Sequence, residues 1–488
     1  MNVKKIDKNT ENPQLLSTIV PTDDIALKTE KSPNSEKIPH SISIVVNKYL
    51  GSMRDIWQTV QIVMPHLTKW LSEEKKNNIK KMEHFFPEGP LGKDKIKLET
   101  ARDFAEFLST VKKMGELNAN NAINVLARSL FTQMFCEFDA FMGALLKAIY
   151  LQKEDLLKGI SREISLTELL EFGDINSAKT AMLEKEIETF RRDSYVEQFN
   201  QLEKKFTIVL RKFPEWAEFV ELGQRRNLFT HNDGMVSEQY ISACKKEDYP
   251  FPVFPKIGET LPIDIAYFKR ANLVLSKVGF MLAYTLWSKA LPGQLETFHE
   301  SVNDTIYRCL EGKRWVTASE LGNFAITTPM KKDSTEILLR VRVINCAIAL
   351  KFCDRSAESN ALLKSFDWTA SYRDFKLAIL VLEDKFEEAV RVMESIGKSG
   401  ELITQDAYHS WPLFHKFRER PDFYVTYEKI YGESYAAKVN AEGDEQRFSL
   451  KVIDDQNDQH NGTISDSAPA INPVVKRTRA RRSVVKTN

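Results

Sequence analysis

The chain has 488 residues, of which 42% are hydrophobic and 28% charged, as in ordinary globular proteins with a large buried core. Its 69 Lys and Arg residues nearly cancel its 68 Asp and Glu residues, so net charge gives no reason to expect general attraction to nucleic acid or membranes. Five cysteines without a Cys-x-x-Cys pair argue against a disulfide framework and a thiolate zinc site, and they favour a reducing compartment.

The sequence also argues against export and membrane insertion. The N-terminus is polar and lacks the apolar segment of a signal peptide. Ser276, Lys277 and Tyr284 interrupt the longest apolar stretch, residues 273–287, which is therefore shorter than the roughly 18 uninterrupted apolar residues of a membrane helix. We expect a soluble cytoplasmic protein with no membrane partner.

Composition divides the chain into five predicted parts. We expect a disordered tail at 1–40, a helical N-terminal extension at 41–99, a helical bundle at 100–291, a second helical domain at 292–440 and a disordered basic tail at 441–488. Both tails lack the apolar content that would offset the entropy of ordering. The final stretch of the last tail, residues 476–486, carries six cations that are suited either to RNA phosphates or to solvent.

Helical periodicity dominates between the tails, so we predict an all-α fold. In the extension, a helix is expected at about 53–71. In the bundle, apolar residues recur every three or four positions in 121–150, 195–213 and 263–290. Ser165 and Glu168 have the spacing of a capping box, and Pro214 suits the first turn of the helix that follows.

Shorter paired helices are predicted after about Gly293. Small residues would let the paired helices approach closely at Ala347 and Ala349, Ala357 and Ala361, and Ala378 and Ala389. The spacing of equivalent positions, roughly 30–35 residues, resembles tetratricopeptide-like repeats. An ordinary helical domain is the alternative.

The histidines and the common catalytic motifs point to no metal and no cofactor. Glu296 and His299 have the spacing of half a helical carboxylate site, but the chain holds no second Glu-x-x-His. His409 and His415 suit packing, and His40 and His460 fall in the predicted tails. The chain has no HExxH, P-loop, GxGxxG or GxSxG sequence.

One segment, 222–236, does hold a candidate catalytic motif. It combines Arg225, Arg226 and Asn227 with His231 before an Asn-Asp-Gly stop signal. Asn227 and His231 share a helix face, whereas Arg226 and His231 lie about 140° apart on an ideal helix. They converge only if the helix unwinds near His231 or a partner chain completes the site. Four acids lie near this motif in sequence: Glu215, Glu218, Glu221 and Asp233.

Arginine and histidine together suit RNA cleavage. A guanidinium presents a fork of donors that matches a phosphate, and an imidazole moves protons near neutral pH. The 2′-hydroxyl of RNA can attack the adjacent phosphate without a metal when an imidazole transfers protons and a guanidinium stabilises the developing charge. The alternative is structural, since basic side chains at a helix end often satisfy its last carbonyl groups.

The segment from Arg226 to His231 resembles the Arg-x4-6-His motif of the HEPN superfamily, with Asn227 as the polar residue after the arginine. Its flanks resemble the family as well, including the aromatic helix with Phe135, Asp139 and Phe141, and the resemblance covers roughly residues 100–290. It implies a homodimeric bundle in which Arg226 contacts the scissile phosphate, His231 transfers protons or stabilises the transition state, and Asn227 orients His231 or the phosphate. Arg225 would add phosphate affinity or remain solvated.

The leading hypothesis is therefore a homodimeric, metal-independent HEPN endoribonuclease of a bacterial defence or toxin system. RNA would be its substrate, and a regulatory or antitoxin protein would bind the C-terminal repeats. The alternative is a non-catalytic helical scaffold that dimerises and binds proteins.

Overall fold

The computed structural model describes residues 40–86, 98–160 and 164–436. Within these ranges the regular secondary structure is helical, apart from an isolated antiparallel bridge between Met235 and Thr260. The predicted all-α fold is confirmed for the described part of the chain. The tails predicted at 1–40 and 441–488 lie outside the described residues, except for His40.

Ten helices lead up to residue 290 in the described part of the chain. They are α1 (Ser41–Glu83), α2 (Ala101–Asn118), α3 (Ala122–Gln152), α4 (Glu154–Lys158), α5 (Leu166–Glu171), α6 (Ile175–Arg192), α7 (Tyr195–Phe206), α8 (Trp216–His231), α9 (Glu238–Lys246) and α10 (Ile265–Ala290).

Nine more α-helices follow among the described residues. They are α11 (Leu295–Glu311), α12 (Trp315–Ala325), α13 (Thr328–Lys331), α14 (Glu336–Phe352), α15 (Ser356–Lys364), α16 (Arg373–Leu382), α17 (Phe386–Ile396), α18 (Gln405–Ser410) and α19 (Pro421–Tyr431).

The helix predicted at 53–71 is the middle of the much longer α1, whose first half packs against α3 and α10. Tyr49 carries this contact: its hydroxyl donates to Leu275 O at 2.9 Å, and its ring stacks on Phe141. Gly279 of α10 faces the same ring, and a Cβ there would collide with Tyr49. The missing side chain therefore allows α1 and α10 to approach closely.

His40 was assigned to the N-terminal tail, and this prediction was wrong. Its Nδ1 accepts from the backbone N–H of Ile42 and caps α1, while its Nε2 bonds to Gln152 Oε1 at 2.8 Å. The imidazole also stacks on the buried ring of Trp287 at a centroid distance of 4.2 Å. These contacts hold residue 40 although the preceding sequence is polar.

The other bundle helices follow the predicted periodicity with one local correction. α3 and α10 occupy the expected ranges, and the Ser165–Glu168 capping box opens α5. α7, however, ends at Phe206 rather than 213, because Thr207 is left-handed and the Glu203 carboxylate accepts from the backbone N–H groups of Leu210 and Arg211. Pro214 lies before the Glu215 N-cap, outside the first turn of α8.

The region after residue 291 contains three helical hairpins, α11–α12, α14–α15 and α16–α17. All three have the same short turn, with a left-handed residue at Lys313, Asp354 or Asp384. In each turn the next residue donates its N–H to a carbonyl five positions back. The turns are 41 and 30 residues apart in sequence, so the spacing is irregular, and the tetratricopeptide-like assignment stays a prediction.

Small residues allow close packing in these hairpins, but not at every predicted position. Ala347, Ala378 and Ala389 are fully buried. Ala357 and Ala361 are exposed. Instead, the buried Ser359 faces α14 and donates to Ala347 O at 2.9 Å.

A buried arginine connects the helices of the first two hairpins. Arg342 of α14 is fully buried and donates to Asn303, Ala325 O, Met330 O and both the ring and the carbonyl of His299. Burial lowers the pKa of Arg342 to about 10, and burial together with this cation lowers the pKa of His299 to about 4. His299 therefore has a structural role.

Buried side chains from α1, α3, α10, α11 and α14 belong to one hydrophobic cluster. The predicted domain boundaries at residues 99/100 and 291/292 both fall within the chain that builds this cluster, and they stay predictions. None of the described helices is long and apolar enough to cross a lipid bilayer.

Candidate functional site at the end of α8

Helix α8 carries all four residues that the sequence singled out. Phe219, Val220 and Leu222 bury its first half in the core. The helix stays regular through His231, so the unwinding considered from the sequence is not found. Because five residues separate Arg226 from His231, the two side chains leave one helix in directions about 140° apart.

The chain turns sharply just after His231. The N–H groups of Asn232 and Gly234 both donate to Leu228 O, and Asp233 and Gly234 have positive φ angles of 48° and 78°. A Cβ on Gly234 would lie 2.8 Å from the Phe229 ring, so glycine is required here for both space and backbone conformation. The turn fixes where α8 ends.

Arg226 lies in a polar and aromatic notch between α3, α7 and α8. Its Nη2 donates to the Tyr195 hydroxyl at 3.0 Å and lies 3.5 Å from Asp139 Oδ2. Its guanidinium carbon lies 5.6 Å and 5.7 Å from the ring centres of Phe135 and Tyr195. About a quarter of the side chain is exposed, and Nε is buried without a partner.

The electrostatics of this notch hold Arg226 in its charged form. Burial opposes the charge, but Tyr195 and Asp139 outweigh it and raise the pKa of Arg226. Burial, followed by the charge of Asp139, raises the pKa of Tyr195 well above its ordinary value. The Tyr195 hydroxyl therefore remains protonated and acts as a hydrogen-bond donor to Asp139 Oδ1.

Asn227 and His231 lie on the solvent side of α8. Both are exposed, and within the described ranges neither side chain forms a hydrogen bond. The imidazole and the amide are therefore open to a ligand or a second chain, as the sequence interpretation requires. Within one chain, the structure brings Asn227 together with His231 but does not bring Arg226 to them.

Arg225 does not have the phosphate-binding placement considered from the sequence, and we correct that prediction. Its side chain is only 12% exposed, and its Nε donates to the fully buried Glu221 at 2.7 Å. Glu221 also accepts from the hydroxyls of Tyr240 and Tyr267, and the Arg225 guanidinium covers the Tyr267 ring. Arg225 thus neutralises a buried carboxylate.

Each acid near the motif is paired with a cation. Besides the Glu221–Arg225 pair, the ion pairs are Glu215–Lys277, Glu218–Arg270 and Asp233–Arg128, with N–O distances of 2.7–2.8 Å. Their negative charge is largely compensated locally, so these acids repel a phosphate less than their number in the sequence indicates.

Tyr195 is the site residue that the sequence analysis missed as a functional group. It opens α7, and from sequence it reads as part of an apolar face. Asp139 was noted as part of the family resemblance, and its signal is a carboxylate placed between Phe138 and Phe141 in the aromatic run of α3. Its connection to Arg226 depends on residues 56 and 87 positions apart, which no local pattern reveals.

Within the described residues, no group of three or more His, Cys, Asp or Glu side chains is arranged to hold a metal ion. Comparisons of the chain with protein-family models, with curated proteins and with solved structures found no match.

Proposed function

We propose that the chain is a metal-independent endoribonuclease of the HEPN type that acts as a homodimer in a bacterial defence or toxin system. The observation that carries this proposal is the end of α8, where a charged, restrained Arg226 directly precedes Asn227, and both Asn227 and His231, one turn further on, are exposed. A restrained cation and an open imidazole suit RNA cleavage without a metal, because the cation stabilises the developing charge and the imidazole transfers protons.

The reaction would be an internal transfer on RNA. The ribose 2′-oxygen bonds to the adjacent phosphorus and the bond to the 5′-oxygen breaks, which yields a 2′,3′-cyclic phosphate and a 5′-hydroxyl. One imidazole accepts the 2′-hydroxyl proton, and a second group returns a proton to the leaving oxygen. Arg226 stabilises the charge that develops on the phosphoryl oxygens.

A second copy is part of the proposal because one α8 directs Arg226 and His231 to different sides. Two helices related by a twofold axis would place the His231 of each copy near the Arg226 of the other. The open amide of Asn227, on the same face as His231, would orient the imidazole or the phosphate.

One observation favours the alternative, a non-catalytic scaffold. Arg226 already has Asp139 and Tyr195 as partners, so part of its charge is used within the chain. In that reading the notch stabilises the bundle, and the helical hairpins bind a protein partner.

The decisive experiment compares the purified wild-type chain with its Arg226→Ala, Asn227→Ala and His231→Ala variants on total RNA in EDTA. We expect wild type to produce cyclic phosphate ends and each variant to lose this activity by about a hundredfold or more. His66→Ala, at another exposed histidine, should cleave normally. Equal RNA decay by wild type and the His231→Ala variant, with both folded, would defeat the enzymatic proposal and leave the scaffold.

A further inference from the structure

A cleft of about 380 Å³ lies between α1, α10, the α11–α12 turn and the end of α14. Two indoles, Trp57 and Trp315, form part of its lining. Four cations also line it: Arg54, Lys269, Lys313 and Arg314. None of its residues belongs to α8, so the cleft is separate from the site described above.

Three of the cations are not neutralised. Within the described part of the chain, Lys269, Lys313 and Arg314 form no ion pair, whereas Arg54 pairs with Asp55. Arg314 donates one bond to Leu50 O at 3.0 Å, which fixes its position without cancelling its charge. The cleft has one acidic lining residue, Asp354, so its lining has an excess of positive charge.

The three equivalent hairpin turns provide an internal comparison. Two of them place aspartate, which tolerates the left-handed region well, at the left-handed position, but the first turn places Lys313 there. The basic residue that follows is paired in those two turns, Arg355 with Glu358 and Lys385 with Glu383, each at 2.7 Å. Arg314 has no such partner, so turn geometry alone does not account for the cations of the first turn.

The aromatic part of the lining is held in place. The Trp315 ring stacks on Phe352 at a centroid distance of 4.3 Å with an interplanar angle of 13°, and Trp57 lies against Phe268. Indoles stack flat heteroaromatic rings, and unpaired lysine and arginine bind phosphate oxygens. The volume lies within the usual range for small-molecule sites.

We propose that this cleft binds a free nucleoside triphosphate, with the base against the indoles and the phosphates on Lys269, Lys313 and Arg314. Asp354 would accept a hydrogen bond from a ribose hydroxyl. Because the cleft joins α1 and α10 to the hairpins that begin at α11, an occupied cleft would brace these elements against one another.

Calorimetric titration of the full chain with ATP, GTP and CTP, with sodium tripolyphosphate as the base-free probe, tests this proposal. We expect at least one nucleotide to bind more tightly than tripolyphosphate and to raise the Tm. The Lys313→Asp variant should weaken this binding about tenfold or more. It gives the first turn the aspartate of the other two, so its fold should persist.

The matched control is Lys385→Asp, which makes the same charge change in an equivalent turn outside the cleft and should leave binding unchanged. Three results would overturn the proposal: no nucleotide binds, Lys313→Asp binds as wild type does, or tripolyphosphate binds as tightly as every nucleotide. Binding confined to a 2′-O-methyl RNA octamer would also overturn it, in favour of an RNA groove. The His231→Ala variant should bind the nucleotide normally, which separates this outcome from that of the nuclease proposal.

Discussion

The Tyr195 hydroxyl, at the start of α7, donates a 2.7 Å hydrogen bond to Asp139 Oδ1 in the middle of α3. The Tyr195 hydroxyl oxygen also accepts a hydrogen bond from Arg226 Nη2, so one phenol connects a carboxylate on one helix with a guanidinium on another. Three helices are therefore linked at the point where the motif begins.

Removing this hydroxyl should destabilise the bundle. We expect Tyr195→Phe to lower the free energy of unfolding by about 1–2 kcal/mol, because a buried donor and acceptor are lost while the ring remains. Urea unfolding would measure the loss. Tyr372→Phe, at a partly exposed tyrosine, should change stability little, and a Tyr195→Phe variant as stable as wild type would contradict the linking role.

Asp139 should moderate the affinity of Arg226 for phosphate. Asp139→Asn keeps an acceptor for Tyr195 but removes the charge 3.5 Å from Arg226, so we expect RNA to bind about fivefold more tightly. Fluorescence anisotropy with a 2′-O-methyl RNA would measure this change. Asp304→Asn, which removes an exposed partner of Arg308, is the control, and a decrease in affinity for Asp139→Asn would show that the carboxylate assists binding instead.

Glu221 should contribute far more to stability than the other acids of α8. We expect Glu221→Ala to cost about 3–5 kcal/mol, because it leaves Arg225 and two tyrosine hydroxyls without their buried partner. Glu218→Ala, one turn earlier, removes a more exposed pair with Arg270 and should cost about 1 kcal/mol or less. Denaturant unfolding would compare the two variants. Similar losses in unfolding free energy would refute the idea that burial makes Glu221 the more stabilising acid.

His299 should make stability depend on pH. The unfolded imidazole takes up a proton near pH 6.5, and in the folded chain the pKa is about 4. Its contribution is therefore fully present above about pH 6.5 and is lost as pH falls towards 4, a change of about 3 kcal/mol.

The His299→Gln variant should flatten this part of the pH profile of unfolding free energy, even though it is less stable at pH 7. His415→Gln, at an exposed histidine, should keep the wild-type slope. An unchanged slope in His299→Gln would mean that other groups cause the acid sensitivity.

Gly279 and Gly51 should respond in opposite ways to alanine. In α10, Gly279→Ala places a methyl group into the Tyr49 ring, and we expect a loss of about 1–3 kcal/mol. In α1, Gly51→Ala meets nothing within 4 Å and should gain about 0.5–1 kcal/mol from helix propensity. Thermal unfolding of both variants would check the pair, and equal effects would refute the close approach of α1 and α10.

Local rules predicted much of the helical framework. The apolar spacing of α3 and the capping box at Ser165 depend on residues a few positions apart, and both are found where expected. The end of α7 depends on the Glu203 carboxylate, which accepts hydrogen bonds from the N–H groups of Leu210 and Arg211, seven and eight residues later, and the order at His40 depends on Trp287. Contacts of this kind leave little trace in periodicity or composition.

The candidate site, like the helical framework, was predictable from the sequence only in part. The sequence identified α8 and its motif, and the exposure of Asn227 and His231 agrees with that interpretation. The resemblance assigned Arg226 and Arg225 different roles, but the sequence could not show which of these two neighbouring arginines is buried. Only the fold reveals that one turns towards the buried Glu221 and the other towards Asp139 and Tyr195.

Arg342 is held by neutral groups, and this affects how the fold responds to ionic strength. Its bonds run to carbonyl, amide and imidazole acceptors, so no opposite charge is available for dissolved ions to screen. Molar salt would weaken surface pairs such as Arg54–Asp55 but should leave the meeting point of α11, α12, α13 and α14 intact. This junction should therefore be the part of the hairpin region that is least sensitive to a high salt concentration.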